Sequence, residues 1–213
     1  MTAGRSALVD AVLRRFRRRR MRWLVRQLGI TDQTSVLDVG GTSHNWQFSP
    51  VRPRLTILNL ERTRHEVGDA AVFVVGDGRA LPFRDGAFDV VFSNSVIEHI
   101  GSAAGQREFA AEVARVGRHY WVQTPNRWFP VEPHLVTPFV HFLPRRWQER
   151  LVRRASVWQW LARPRQDQRE YYIEHYLRDI RLLDAGAVRR LFPEARLRRE
   201  RAFGLTKSLI AVK

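Results

Sequence analysis

Asp38, Gly40 and Gly41 are the residues of this chain whose types and spacing point most directly to chemistry. They lie in Ser35–Val36–Leu37–Asp38–Val39–Gly40–Gly41–Thr42, where Val36, Leu37 and Val39 read as a short strand buried on both faces. An acid at the carboxyl end of such a strand, followed by paired glycines, is the arrangement that receives nucleotide-type cofactors at the edge of an open α/β sheet. The glycines free the backbone angles of the strand-to-helix turn and let a ligand approach bare backbone. A tight turn with a helix-capping Asp accounts for the same residues, so the stretch needs support from elsewhere in the chain.

The elements that must position such a site recur at regular intervals. Leu55–Leu60 reads as a second strand, with Asn59 and Glu61 at its end, and Val72–Val75 as a third, followed by Gly76–Asp77–Gly78. Phe88–Phe92 is a fourth and runs into Ser93–Asn94–Ser95, while a helix from about Gln106 to Val116 leads to a fifth strand at His119–Thr124. Ser43–Phe48 is a short helix or turn. A helix near Leu182–Leu191 and strands near Arg196–Arg201 and Ser208–Val212 close the chain. Strands separated by helices of this length predict a parallel, doubly wound sheet. Residues 128–170 differ, with Trp128, Phe129, Phe139, Phe142, Trp147, Trp158 and Trp160 among several prolines. They read as a cap over the end of the sheet, its aromatics forming a small core of their own and bordering a substrate pocket.

The 213 residues allow one α/β domain with an appendage. No apolar run is long enough to span a bilayer and no signal-peptide core is present, so a cytoplasmic protein is expected. The absence of cysteine excludes disulfides and thiolate metal sites. The net charge of +16 is unevenly placed. Arg5, Arg14, Arg15, Arg17–Arg20, Arg22 and Arg26 face only Asp10 among the first thirty residues, and a second basic region runs from Arg145 to Arg169. Residues 6–28 predict one amphipathic helix, with Leu13, Phe16, Leu24 and Leu28 along its apolar stripe and Gly29 as its stop. Three roles compete for it: packing on the domain with a solvated basic face, lying on an anionic membrane through Trp23 and Leu24, or gripping nucleic-acid phosphates.

Taken together, the chain resembles the class I S-adenosylmethionine-dependent methyltransferases of the methyltransferase type 11 group. VLDVGGT at 36–42, GDGRALPFRDGAFDVVFSNSVIEHI at 76–100, EVARVGRHYWVQTPN at 112–126 and the closing FGLTKSLIAVK carry the likeness, the second stretch most specifically. The resemblance implies a Rossmann-like, doubly wound, seven-stranded sheet, mostly parallel with an antiparallel last strand. A basic helix (1–30) precedes the methyltransferase domain (31–213), and the cap (128–170) is an insertion in it. It implies S-adenosylmethionine as cofactor, with Asp38, Gly40, Gly41 and Thr42 against its methionine part and Glu61, helped by Asn59 and Leu60, at the ribose. Asp77 would meet the adenine, with Gly76, Gly78 and Arg79 beside it, and Ser93, Asn94 and Ser95 would line the sulfonium. One departure stands out: Thr42 and His44 occupy places where the family's loop has glycine.

Methyl transfer from a sulfonium needs alignment and exclusion of water more than acid–base help. A base is required only if the acceptor must lose a proton, and His99, His134 and His175 are the candidates. For His99 a purely structural place at a helix start is an equal alternative. No metal is expected, for lack of HxH or HExxH spacing. The expected acceptor is a small or lipid-like molecule, apolar or ring-bearing, with peripheral contact at the inner face of an anionic membrane through the first helix. An RNA acceptor, suggested by the charge, and a non-catalytic cofactor-binding or scaffold protein are the alternatives.

Overall fold

The computed structural model describes residues 7–60, 71–132, 137–154, 170 and 180–213. Glu61, His134, His175, Trp158 and Trp160 lie outside the described residues. Helix α1 (Ala7–Leu28) ends as its sequence predicts. Gly29 adopts a left-handed φ of 60°, and the Ile30 amide returns to the Val25 carbonyl at 3.0 Å, a C-terminal cap that L side chains resist. Then come β1 (Ser35–Val39), α2 (Ser43–Trp46), β2 (Arg54–Asn59), β3 (Ala71–Val75), β4 (Phe88–Asn94), a 3-10 turn (Ile97–His99), α3 (Ala103–Val116) and β5 (Gly117–Pro125). The short strands β6 (Val131–Glu132) and β7 (Thr137–Pro138), a 3-10 turn (Val140–Phe142) and α4 (Arg145–Arg154) form the described part of the cap. Helix α5 (Ala185–Leu191) and strands β8 (Arg196–Ala202) and β9 (Leu205–Val212) complete the chain. Side-chain caps start α3 and α5: Ser102 Oγ accepts from the Gly105 amide at 3.0 Å, and Asp184 Oδ1 from the Ala187 amide at 2.8 Å.

Seven strands form one sheet in the order β3-β2-β1-β4-β5-β9-β8. The first five are mutually parallel, and β9 runs antiparallel to both β5 and β8. The expected Rossmann-like sheet with its reversed last strand is the one observed. Strand order reverses between β1 and β4, where an open α/β sheet leaves a crevice beyond its strand ends. On one face Phe109, Val113 and Val116 of α3 and Val188 of α5 bury against Leu37, Val39, Val91 and Tyr120. On the other, Met21 and Leu24 of α1 bury against Val36, Val90, Phe92, Trp121 and Ile210. Trp23 meets Trp121 edge to face at 5.1 Å.

The first helix therefore packs on the domain. Trp23 and Leu24 are turned to the sheet, and from Arg14 onward the exposed side chains of α1 are mostly arginines. In the described part of the cap, Trp128, Phe139, Phe142 and Trp147 are 62%, 61%, 44% and 47% exposed, so these four rings are not enclosed in a core. Strands β6 and β7 form a two-residue ladder that no pattern in the sequence predicts.

Candidate active site at the sheet's switch point

Parallel pairing brings four strand ends to one edge. Asp38 lies opposite Ile57 of β2 and Phe92 of β4, and Asn59 opposite Val75 of β3. The loops leaving these strands are tied back to the sheet, with the Gly40 amide donating to the Leu58 carbonyl at 2.7 Å and the Gly76 amide to the Asn59 carbonyl at 2.9 Å. Asp38, the Gly40–Gly41 turn, Asn59, Gly76–Arg79 and Ser93–Ser95 thus share one edge of the sheet.

Asp38 is the unusual residue of the group. It is fully buried, its Oδ2 accepts from the Trp46 indole at 2.8 Å, and its Oδ1 has no hydrogen-bond partner among the described residues. Burial pushes its carboxyl up to about 7, against a smaller lowering by the indole bond. The two glycines beside it cannot be replaced without displacing neighbours. A Cβ on Gly41 would fall 2.0 Å from Asp38 Oδ1, and one on Gly40, whose φ is 72°, would fall 2.7 Å from Val96. Gly78 is equally constrained, with Phe109 at 2.8 Å and Val39 at 2.9 Å from an added Cβ.

Thr42 and His44 find other work. Thr42 caps α2 by accepting from the His44 amide, and His44 packs edge to face on Phe48 at 5.5 Å. The chain thus enters α2 at Ser43, with only Thr42 between it and the glycine pair. Asn59 closes its own strand end: Nδ2 donates to the Gly41 carbonyl at 3.4 Å and Oδ1 accepts from the Leu60 amide at 2.9 Å, while the Leu60 side chain is exposed. Asp77 is gripped by Arg79 through both its oxygens, at 2.6 to 3.1 Å, and the guanidinium holds its carboxyl below the usual range. Ser93 is fully buried and donates to the Val39 carbonyl at 3.1 Å, tying β4 to β1. Ser95 takes a left-handed φ of 59°, with its amide donating to the Gln123 carbonyl. His99 ends the 3-10 turn, partly buried, with its amide donating to the Val96 carbonyl at 2.8 Å. Beside it Glu98 is fully buried and accepts from the Thr124 hydroxyl at 2.9 Å.

Trp46, Gln123 and Arg20 join this edge although the sequence does not single them out. Arg20 reaches from α1 to the strand ends, donating to Asn94 Oδ1 at 2.5 Å and Gln123 Oε1 at 3.2 Å, and pairing with Glu200 at 2.6 Å. Both partners of the ion pair are only 11% exposed. Nothing in the chain distinguishes Arg20 from the other arginines of α1. Because a nearly buried carboxylate would be left behind, Arg20→Ala is expected to cost about 3 kcal/mol of stability in urea unfolding. Arg20→Lys should restore little, since it cannot make the forked contact.

The fold is that of an open α/β domain with a candidate site at the switch point between β1 and β4, an arrangement similar to that of the class I S-adenosylmethionine-dependent methyltransferases. Residues 53–119 match the model of a family described as a methyltransferase domain. The match is to that segment of the chain alone. No curated protein matches the sequence. Among solved structures, a magnesium protoporphyrin IX methyltransferase from Synechocystis PCC 6803 with bound S-adenosylmethionine aligns over 99% of this chain and 86% of its own, at 11% identity and TM-score 0.53. An S-adenosylmethionine-dependent methyltransferase from Aquifex aeolicus aligns over 90% of this chain and 87% of its own, at 9% identity and TM-score 0.50. Both likenesses are of fold. The chain spans about half the length of two further solved structures it matches, 45% and 48% of theirs, with TM-scores of 0.43 and 0.44.

Proposed function

We propose that the protein transfers a methyl group from S-adenosylmethionine to a small-molecule or lipid-like acceptor. The observation that carries this is Asp38, a fully buried acid with one oxygen lacking a partner among the described residues, set against the bare backbone of Gly40 and Gly41 at the switch point. That pairing suits the cofactor's ammonium group, which offers the missing donors. When bound, the cofactor supplies a methyl already activated by its sulfonium. The chain's own part is to hold, align and exclude water. Asp38 and the glycine turn hold the amino-acid end, and Asn59 and Leu60 flank the ribose; Glu61, outside the described residues, is the acid expected for its hydroxyls. Asp77, Gly78 and Arg79 take the adenine. Thr42 starts the helix that carries Trp46, so it steadies Asp38 indirectly. Ser93 braces β4 through the Val39 carbonyl, leaving Asn94 and Ser95 to face the acceptor side.

Where the acceptor must lose a proton, His99 is the candidate base among the described residues, with His134 and His175 the other two. The exposed aromatic segment after β5 favours an apolar or ring-bearing acceptor. Calorimetry tests the reading: the protein should bind both S-adenosylmethionine and its demethylated product. Failure to bind either would leave a scaffold. Asp77→Ala should weaken both affinities roughly tenfold, the size expected for hydrogen bonds to a charged group. Unchanged affinity would move the adenine elsewhere.

A second reading, an RNA acceptor, is favoured by a separate feature. Arginines of α1 and β8 line a groove of about 1270 Å³ along the side of the domain, and Arg20 joins that groove to Asn94. Radiolabelled methyl from the cofactor, followed into organic-extractable or RNA fractions, separates the two.

A further inference from the structure

The described cap presents several large apolar side chains to solvent. Trp128 and Phe142 stack at 6.0 Å between ring centres, Phe139 lies 6.5 Å from Phe142, and Leu143 and Trp147 continue the surface into α4. Five large apolar side chains are each at least 38% exposed within twenty residues of chain. A patch of this kind on a water-soluble domain marks an interaction surface. What lies around the rings indicates the partner. The Arg127 guanidinium sits 5.5 Å over the Trp128 ring and that of Arg150 sits 5.8 Å over Trp147. Arg145 and Arg146 open α4, and Glu149, its one acid, lies 3.9 Å from Arg145.

Rings paired with guanidinium groups match the boundary layer of an anionic bilayer. There aromatic bodies enter the acyl edge and arginines meet lipid phosphates. The small anchors of the patch are buried: Val140 and Thr137 are 1% and 7% exposed, so the rings are held outward by a fixed base. Trp128 follows the end of β5 by three residues, and β5 runs parallel to β4 and β1, so the patch adjoins the edge that carries Asp38 and Asn94.

We infer that this aromatic face of the cap, rather than α1, docks the protein on the surface of an anionic phospholipid membrane. Docked this way, the switch-point edge is brought close to the bilayer. The inference does not depend on which acceptor is methylated, because it is read from binding alone.

Flotation with full-length protein tests it, using vesicles of phosphatidylcholine with about one-third phosphatidylglycerol and vesicles of phosphatidylcholine alone. The protein should float with the anionic vesicles and be largely released at about 1 M salt. Brominated acyl chains should quench its tryptophan fluorescence. The triple variant Trp128→Ser, Phe142→Ser, Trp147→Ser removes exposed rings and should keep its circular dichroism and its affinity for S-adenosylmethionine. Its vesicle affinity should fall roughly tenfold or more. Arg146→Glu with Arg150→Glu should weaken binding to the anionic vesicles alone. The inference is overturned if the triple variant floats like the wild type, or if Arg18→Glu with Arg19→Glu on α1 abolishes flotation while the triple variant does not. Self-association seen by ultracentrifugation and abolished in the triple variant would also overturn it, assigning the face to a second copy of the chain.

Discussion

Asp38→Asn is expected to flatten the pH dependence of cofactor affinity and to lower that affinity roughly a hundredfold at pH 8. The magnitude is that of removing one charged partner from a hydrogen bond in a buried site. In the wild-type protein burial holds the carboxyl protonated up to about 7. A protonated Asp38 cannot counter an ammonium group, so binding below that pH must expel a proton. The affinity should then rise about tenfold per pH unit up to 7, and level off until the cofactor's own amino group loses its proton near pH 8. The protein without cofactor should show the opposite trend in stability. A carboxyl raised from 3.8 to about 7 stabilises the fold below the lower value, and this contribution is lost as pH rises through the upper one. Calorimetric titration across pH 5 to about 8 measures the first effect and thermal unfolding the second. A wild-type affinity that does not change with pH would remove Asp38 from the cofactor's amino end.

Among the described glycines, Gly41→Ala should be the most damaging added methyl. Its Cβ would stand 2.0 Å from Asp38 Oδ1, and the backbone has little room to yield, because the Gly40 amide is bonded to Leu58 and Thr42 caps α2. The carboxylate is the part that moves, and moving it breaks the bond from the Trp46 indole. Cofactor binding is expected to fall at least about a hundredfold, with a drop of about 1–3 kcal/mol in unfolding free energy, the usual cost of overpacking. The double variant Asp38→Ala, Gly41→Ala distinguishes crowding from general damage. With the carboxylate gone the added methyl has room, so the double variant should be no less stable than Asp38→Ala alone, while cofactor binding stays weak. Non-additivity of this sign is what two side chains competing for one space produce.

Much of the scaffold is readable because its signals are local. Strands β1 to β5 announce themselves by apolar runs bounded by glycine and polar residues, and Gly29 ends α1 through a φ that glycine favours. The helix α5 begins at Ala185 rather than Leu182, since Asp184 is its cap and capping, more than apolar spacing, sets a helix start. The described part of the cap is less legible for a different reason. Composition tells that Trp128, Phe139, Phe142 and Trp147 are apolar, but not whether anything lies over them, and the short β6–β7 ladder has too few residues to leave a pattern.

Aligned strand ends follow from local order: a strand, an acid and small residues, repeated in sequence, bring Asp38, Asn59, Asp77 and Asn94 to one edge once parallel pairing is granted. Which side chains complete that edge is another matter. Arg20 is 74 residues from Asn94 and 180 from Glu200, and among similar arginines only the docking of α1 on the sheet selects it. The raised carboxyl of Asp38 likewise depends on being wholly enclosed beneath Trp46 and beside Gly41. Desolvation is set by every atom around a group, and those atoms are gathered only when distant segments pack together.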